Sequence, residues 1–177
     1  MKNIYFYGGA FNPLTLAHQQ IIDNLVDELH LGNWNDPEND ILVIAITSHD
    51  YKNYEFNKEL RNNFVKAYMD LKYLDKFGWE ITYQDKRTWE FLHNLFVEDI
   101  QKDITLIIGQ DEYDDLKDGK WHHSNEILNT YKLKVIPRTD DISSTKVREL
   151  IKTKQLAELN KYIGKTTEEL LKTHGYL

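Results

Sequence analysis

The sequence predicts an α/β fold: a Rossmann-like, doubly wound parallel sheet with a helical C-terminal end. Short apolar runs alternate with amphipathic stretches along the 177 residues. The run from Ile41 to Ile46 is continuously apolar, as strands buried on both faces of a parallel sheet are. From Ser144 onward the pattern is mostly helical.

The first elements follow from their spacing. Ile4 to Tyr7 is the first predicted strand, and two glycines follow it. From about Leu16 the pattern becomes helical, with one face formed by Ile21, Ile22, Leu25, Val26 and Leu29. The polar stretch from Asn33 to Asp40 contains a proline and predicts a loop before the Ile41 to Ile46 strand.

The remaining elements alternate in the same way. Helical spacing is seen in the recurrence of Leu60, Phe64, Tyr68 and Leu71. Further strands are predicted at Trp79 to Tyr83, Ile104 to Ile108 and Leu133 to Ile136, and a helix at Thr88 to Phe96. No internal repeat or linker interrupts this order, so residues 1–177 are expected to form a single domain.

Composition narrows the classes of function. The net charge of -7 argues against a general nucleic-acid binder, and the lack of cysteine excludes disulfides, thiolate metal sites and a cysteine nucleophile. No apolar run is long enough to span a bilayer. The N-terminus does not resemble a signal peptide, so the default expectation is a cytoplasmic protein without membrane or nucleic-acid partners.

Ligands of doubly wound sheets bind beyond the carboxyl ends of the strands. This rule marks four segments as candidate site: Gly8 to His18, Thr47 to Lys52, Gly109 to Asp111, and Arg138 to Arg148.

The Gly8 to His18 segment carries the strongest signal for a phosphate site. Two glycines after a strand let backbone N–H groups approach a phosphate, and the following helix points its positive end there. Thr15 and His18 are three residues apart and share one side of that helix. A plain strand-to-helix turn with a capping threonine remains the alternative. The segment matches neither a Walker loop nor the dinucleotide Gly-x-Gly-x-x-Gly pattern.

A second signal lies near the C-terminus, at Ile142 to Arg148. Its hydroxyl cluster, Ser143, Ser144 and Thr145, opens a helix and offers caps and N–H groups, and Arg148 suits a bidentate grip on phosphate. An ordinary capped surface helix is the alternative. Likewise Gly109-Gln110-Asp111, which ends a strand, is either a ligand site or a helix start with an acidic cap.

Together these motifs resemble the nucleotidylyltransferase superfamily. Gly8 to His18 is similar to its Gly-x-Phe-x-Pro-x-(His/Thr)-x-Gly-His element, and Ile142 to Arg148 to its Ile-Ser-Ser-Thr-x-x-Arg element. The resemblance implies that Thr15 and His18 bind the triphosphate and stabilise the transition state, with Arg148 as a third catalytic residue. It implies ATP contacts at Gly8, Gly9, Ala10, Phe11, Gly109, Asp111, Ile142, Ser143, Ser144 and Thr145. Thr15 replaces a common first histidine, and Ala17 replaces the usual glycine.

Within that superfamily the chain resembles nicotinate or nicotinamide mononucleotide adenylyltransferases along nearly its whole length. Thr88-Trp89 is similar to their pyridine-pocket element, and Trp121, ten residues after Asp111, to their ring-stacking tryptophan. A pyridinium stacks on indole with about 1 kcal/mol or more when desolvated. Core or surface packing is the alternative for both tryptophans.

The resemblance also assigns Lys52 to the phosphate of the mononucleotide and places Asn12 beside the same substrate. The loop before Lys52 lacks the proline-rich pattern with a His-Lys pair that is usual in bacterial nicotinate-type enzymes. With Arg61 in the next helix, it is nearer the nicotinamide-tolerant or dual enzymes. The choice between acid and amide therefore stays open.

The reaction implied is attack by the mononucleotide phosphate on the α-phosphorus of ATP, giving deamido-NAD or NAD and pyrophosphate. Positioning and charge neutralisation drive such chemistry, with Mg²⁺ bridging the phosphates and no metal ligands assigned to the protein. Three alternatives remain: a sister transferase for another acceptor such as pantetheine phosphate, a non-catalytic nucleotide-binding regulator, and an RNA-binding relative of synthetases. The acidic balance disfavours the last. A homo-oligomer is neither required nor excluded.

Overall fold

The computed structural model describes residues 2–33, 36, 38–49, 51–97, 102–137 and 142–177. In chain order its elements are β1 (Lys2–Gly9), α1 (Leu16–Glu28), β2 (Ile41–Thr47), α2 (Lys58–Tyr73), β3 (Trp79–Gln84), α3 (Thr88–Val97), β4 (Lys102–Gly109), α4 (Gln110–Lys117), α5 (Ser124–Thr130), β5 (Lys132–Ile136), α6 (Ser144–Lys152), α7 (Leu156–Leu159) and α8 (Lys165–Thr173).

These elements fall into two compact units. The first, here called the sheet unit, comprises Met1–Gly9, Leu29–Tyr51 and Lys76–Thr139, and the second, the helical unit, comprises Ala10–Glu28, Lys52–Asp75 and Asp140–Leu177. The sheet unit holds all five strands with α3, α4 and α5. The helical unit holds the other helices.

The sheet is parallel throughout and has the order β3-β2-β1-β4-β5. The strand order reverses between the neighbours β1 and β4, which makes their carboxyl ends, Gly9 and Gly109, the switch point where such sheets bind ligands. The predicted α/β class and all five predicted strands are confirmed, each strand being one to four residues longer than its apolar run.

The core of the sheet unit lies where α3, α4 and α5 cover one face. Side chains that alternate along the strands point into it, because successive strand residues face opposite sides. Leu92, Leu116 and Ile127 come from the helices, and they meet Ile4, Phe6, Ile41, Val43, Ala45, Ile104, Leu106 and Ile108 from the sheet. All six residues of the apolar run 41–46 are buried, as predicted for a strand covered on both faces.

In the helical unit, α1 and α2 are tied by a polar clamp. The Asp23 carboxylate accepts hydrogen bonds from the Tyr73 hydroxyl at 2.6 Å, from the Tyr68 hydroxyl and from the Lys72 ammonium. These three bonds outweigh the burial of Asp23 and lower the pKa of its carboxyl. The clamp therefore holds the helix that carries His18 against the next helix.

The helical faces differ in detail from those predicted. Ile22, Leu25 and Val26 of α1 are buried, whereas Ile21 is half-buried and Leu29 lies just beyond the helix. On α2 the buried apolar face is Leu60, Phe64, Val65, Tyr68 and Met69. Leu71 has helical spacing but lies off this face and is 75% exposed. No helix among the described residues is long and apolar enough to cross a membrane.

Parts of three predicted segments lie outside the described residues. They are residues 34, 35 and 37 of the Asn33 to Asp40 loop, residue 50 of the Thr47 to Lys52 segment, and residues 138–141 of the Arg138 to Arg148 segment.

Candidate active site

The segment that precedes α1 in the helical unit is buried and tightly turned. Phe11, Asn12, Leu14 and Thr15 are each 5% exposed or less. Phe11 has a φ of 45°, a left-handed conformation that non-glycine residues adopt rarely and that clusters at functional sites. Its ring packs edge-on against the His18 imidazole, with the ring centroids 5.2 Å apart.

Thr15 holds the His18 ring through one nitrogen. The Thr15 backbone N–H donates to His18 Nδ1 at 3.0 Å, and Thr15 Oγ1 lies 2.9 Å from the same nitrogen. Because a backbone N–H is always a donor, Nδ1 is the acceptor, and the neutral ring carries its proton on Nε2. The ring therefore keeps one N–H donor, at Nε2, that Thr15 does not use.

Burial lowers the pKa of His18 to about 4. The hydrogen bond into Nδ1 acts in the same direction, because it stabilises the neutral ring. The His18 imidazole is therefore neutral at pH 7, with its one N–H donor at Nε2.

An NMR titration of the ligand-free protein should place the midpoint of the His18 imidazole near pH 4. The resonance is assigned by its absence from His18→Ala. Since the folded-state pKa lies below the ordinary value of 6.5, the free energy of unfolding should fall as the pH falls from about 6.5 towards 4. A midpoint near 6.5 in the folded protein would show that burial does not lower the pKa of His18.

The second predicted phosphate motif opens α6. Ser143 is the N-cap, and its hydroxyl accepts from the Lys146 N–H at 3.2 Å. Ser144 Oγ donates to the Pro13 carbonyl at 3.0 Å. Thr145 Oγ1 accepts from Arg148 Nη2 at 3.0 Å. All three hydroxyls thus make internal bonds, so the capped-helix interpretation describes their local structure, and contacts of these residues with ATP stay a prediction.

Arg148 joins the two motifs. Its Nη1 donates to the Asn12 carbonyl at 2.7 Å, although 136 residues separate them in sequence. The structure therefore brings Arg148, Ser144 and the segment before His18 together within one unit. An imidazole N–H, a guanidinium and a helix N-terminus in one place form an arrangement suited to a polyphosphate.

Asn12 has a bond that the sequence did not reveal. Its Oδ1 accepts from the backbone N–H of Phe56 at 3.0 Å, and both residues are buried. Arg61, 1% exposed, donates from Nε to the Phe56 carbonyl at 3.1 Å and from Nη1 to the Ala10 carbonyl at 2.9 Å. The position of Arg61 on the apolar face of α2 is a feature of the sequence that could have indicated its burial. Contact of Asn12 with a mononucleotide stays a prediction.

In the sheet unit, the buried Gln84 side chain accounts for the glycine at position 8 and for the fixed position of the Thr88 side chain. The Gln84 side chain is buried, and a Cβ added to Gly8 would lie 3.1 Å from its Oε1. Its Nε2 donates to Thr88 Oγ1 at 3.1 Å. Gly8 therefore makes room for Gln84, which fixes Thr88 at the start of α3.

Trp89, predicted to line the pyridine pocket, and Trp121, predicted to stack on the ring, are both half-buried and pack against the core of the sheet unit. The Trp89 ring lies 5.3 Å from the His93 ring, nearly parallel to it, and 5.5 Å from the His123 ring. Trp121 is fixed by Ser124, whose Oγ accepts from its N–H at 3.1 Å and donates to its carbonyl at 2.8 Å. Their contact with a pyridine ring stays a prediction.

The remaining candidates lie at helix starts or in exposed loops. Gly109 is the N-cap of α4, and its N–H donates to Glu112 Oε2 at 3.1 Å. Asp111 is exposed in the first turn of α4, and Lys52 is exposed. Ile142 is half-buried before α6. Within the described ranges, no group of three or more His, Asp or Glu side chains could hold a metal ion.

Comparison with known proteins places this geometry in a wider group. The cytidylyltransferase-like family model matches residues 6–150, which is most of the chain. A relative in Fusobacterium nucleatum, described as a probable nicotinate-nucleotide adenylyltransferase, is 28% identical over 171 residues, covering 94% of this chain and 84% of its own. Another relative, in Endomicrobium trichonymphae, is described in the same words. It is 26% identical over 196 residues, which cover 92% of this chain and 94% of the relative.

Solved structures share the fold. The crystal structure of a protein from Vibrio parahaemolyticus has a TM-score of 0.74 at 21% sequence identity, and the match covers 99% of this chain and 95% of that protein. Plasmodium falciparum nicotinic acid mononucleotide adenylyltransferase in complex with NaAD has a TM-score of 0.68 at 20% identity, covering 99% and 98%.

Proposed function

The chain belongs to the cytidylyltransferase-like family, and from this premise we propose that it joins ATP to nicotinate mononucleotide, giving deamido-NAD and pyrophosphate. The observation that carries the proposal is the convergence of Arg148 and Ser144 on the segment that leads to His18. The relatives described as nicotinate-nucleotide adenylyltransferases support the choice of the acid over the amide.

The reaction needs no protein nucleophile, because the mononucleotide phosphate is already anionic. One of its oxygens forms a bond to the α-phosphorus of ATP, while the bond from that phosphorus to the bridging oxygen breaks and pyrophosphate leaves. Charge develops on the non-bridging oxygens during this in-line displacement. The protein contributes by holding the reactants in line and by donating hydrogen bonds to those oxygens.

His18 donates from Nε2 to an oxygen of the α-phosphate. Its other nitrogen is tied to Thr15, so the ring is oriented before substrate binds and loses little freedom in the transition state. Thr15 and the backbone of Gly8 to Phe11 bind the phosphate chain. Because His18 is neutral, the cationic charge assigned to this end of the site comes from Arg148.

Arg148, Ser144 and Thr145 hold the β- and γ-phosphates. The hydroxyls of Ser144 and Thr145 bond to the Pro13 carbonyl and to Arg148, so we assign the contribution of these residues to the N-terminal N–H groups of α6. Ile142 and the capping Ser143 set the start of that helix. The guanidinium of Arg148 is the charged group of the set and can bind two phosphate oxygens at once.

The remaining candidates are assigned to the two nucleosides. Gly109 and Asp111 bind the adenosine, and Lys52 binds the mononucleotide phosphate. The pyridine ring is assigned to Thr88, Trp89 and Trp121, and Asn12 is assigned to the same mononucleotide.

Mg²⁺ enters with ATP. The side chains around the segment before α1 are hydroxyls, an imidazole and a guanidinium, which bind phosphate oxygens rather than a hard cation. The ion would be held by the phosphates and water rather than by these side chains, and it would neutralise phosphate charge.

The proposal is tested by supplying MgATP with nicotinate or nicotinamide mononucleotide at equal concentration. We expect deamido-NAD and pyrophosphate to form in equal amounts, with kcat/KM higher for the acid. Pantetheine phosphate serves as the control acceptor. Turnover on that acceptor alone would assign the chain to a sister reaction, and no pyrophosphate with any acceptor would make it a nucleotide-binding protein.

A further inference from the structure

The carbonyl oxygens of the segment before α1 are held by side chains from elsewhere in the helical unit. The Ala10 carbonyl accepts from Arg61 at 2.9 Å, the Asn12 carbonyl from Arg148 at 2.7 Å, and the Pro13 carbonyl from Ser144 at 3.0 Å. A carbonyl oxygen carries partial negative charge and repels a polyphosphate. Hydrogen bonds from cationic and hydroxyl donors offset the negative charge that these oxygens would present to an anionic ligand.

Arg61 differs from Arg148 in its burial. It is 1% exposed, whereas Arg148 is half-buried in the middle of α6. Removing a guanidinium from water is costly unless its donors are satisfied, so such a group is fixed in place by its bonds. Arg61 donates to two carbonyls and stacks on the Tyr54 ring, with 3.9 Å from its guanidinium carbon to the ring centroid.

The bonds of Arg61 reach the segment by two routes. One is the direct bond to the Ala10 carbonyl. The other passes through Phe56, whose carbonyl accepts from Arg61 and whose N–H donates to the Asn12 side chain. Phe56 itself is fully buried, and its ring packs edge-on against Phe64 and Tyr176. The segment is therefore anchored at both Ala10 and Asn12 to a buried scaffold.

From this geometry we infer that Arg61 is a positioning residue for adenylyl transfer: it never touches substrate, and it holds the Ala10 to Asn12 backbone in the conformation that receives the triphosphate. The inference rests on the proposed function for its effect on turnover, but the held backbone is a property of the ligand-free protein. A misplacement of about 1 Å in such a site can cost about 10²-fold in rate.

The test compares Arg61→Met, Arg61→Lys and the control Met69→Ala. Met69 is fully buried on the same helix and makes none of these bonds, so its loss reports general destabilisation. Lysine keeps the charge but lacks the planar fork that reaches two carbonyls. The measurements are hydrogen exchange of the peptide spanning residues 10–15 without ligand, thermal unfolding, and kcat and KM for both substrates.

We expect faster exchange in residues 10–15 by about tenfold for Arg61→Met, and kcat lower by about 10- to 100-fold with a smaller rise in KM for ATP. Arg61→Lys should lie between this variant and the wild type. Met69→Ala should melt earlier and keep wild-type exchange and kcat in the folded fraction.

Wild-type exchange and kcat in Arg61→Lys, or in Arg61→Met, would overturn the inference, and so would equal effects in Met69→Ala. If Arg61→Met does not fold, Arg61→Lys decides alone. If the wild type makes no dinucleotide but the Arg61 variants still exchange faster, the proposed function fails and the positioning of the segment stands.

Discussion

Replacement of His18 by alanine is expected to lower kcat by about 10²- to 10³-fold, the usual cost of losing one preorganised donor at a charge-developing oxygen. The reason is the ring's fixed tautomer. Nδ1 accepts from the Thr15 N–H, so Nε2 is the only nitrogen that can donate to the α-phosphate. Steady-state kinetics with both substrates measures the effect, and circular dichroism with thermal unfolding measures the fold.

The matched control is His174→Ala. His174 is exposed at the end of α8, and its ring bonds only locally, with Nδ1 2.8 Å from the Leu170 carbonyl. It should keep wild-type kcat. A folded His18→Ala variant within about threefold of wild-type turnover would remove His18 from the transition state.

Arg148→Ala is expected to lower kcat/KM for ATP by about 10²- to 10³-fold. Truncating one partner of a desolvated charge pair costs about 2–5 kcal/mol, and each 1.36 kcal/mol is tenfold in rate. Two effects add here. The β- and γ-phosphates lose a bidentate cation, and the Asn12 carbonyl loses the donor that now binds it at 2.7 Å.

Two further variants separate charge from geometry. Arg148→Lys keeps the charge but not the fork and should recover part of the loss. Lys146→Ala removes a cation from the same helix and should change kcat/KM by less than about threefold. If Arg148→Lys keeps wild-type kcat/KM and Lys146→Ala loses as much as Arg148→Ala, long-range charge rather than bidentate binding explains the role of Arg148.

The fold could be predicted because short strand-like runs alternate with stretches of helical spacing along the chain. The run from Ile41 to Ile46 has no polar residue, so only a doubly covered strand accommodates it. Helix faces were less predictable. Leu71 has the spacing of Leu60 and Phe64, but the buried face of α2 continues through Val65 and Met69, and spacing alone does not say which stripe is covered.

In the candidate site, too, some features could be predicted from the sequence and others could not. Thr15, His18 and Arg148 could be named as candidates because phosphate binding demands particular residue types at particular spacings, and their contact with phosphate stays a prediction. The bonds that hold them could not, since they join distant parts of the chain: Asn12 to Phe56, and Arg61 to Ala10. The reason for a glycine at position 8 could not be predicted either. The sequence pattern indicates a close approach by phosphate, whereas the structure shows that a Cβ at this position would crowd the Gln84 side chain.

The bond between the Asn12 side chain and the Phe56 N–H matters for anyone who wishes to redirect this enzyme to another acceptor. Saturation mutagenesis guided by motif position alone would randomise Asn12 as a contact residue, and most members of such a library would be lost to disordered backbone rather than to altered selectivity. A smaller library that keeps Asn12 and Arg61 constant, and varies Lys52, Thr88 and Trp121, which we propose to bind the mononucleotide, would test acceptor preference while the bonds of the segment before α1 are kept.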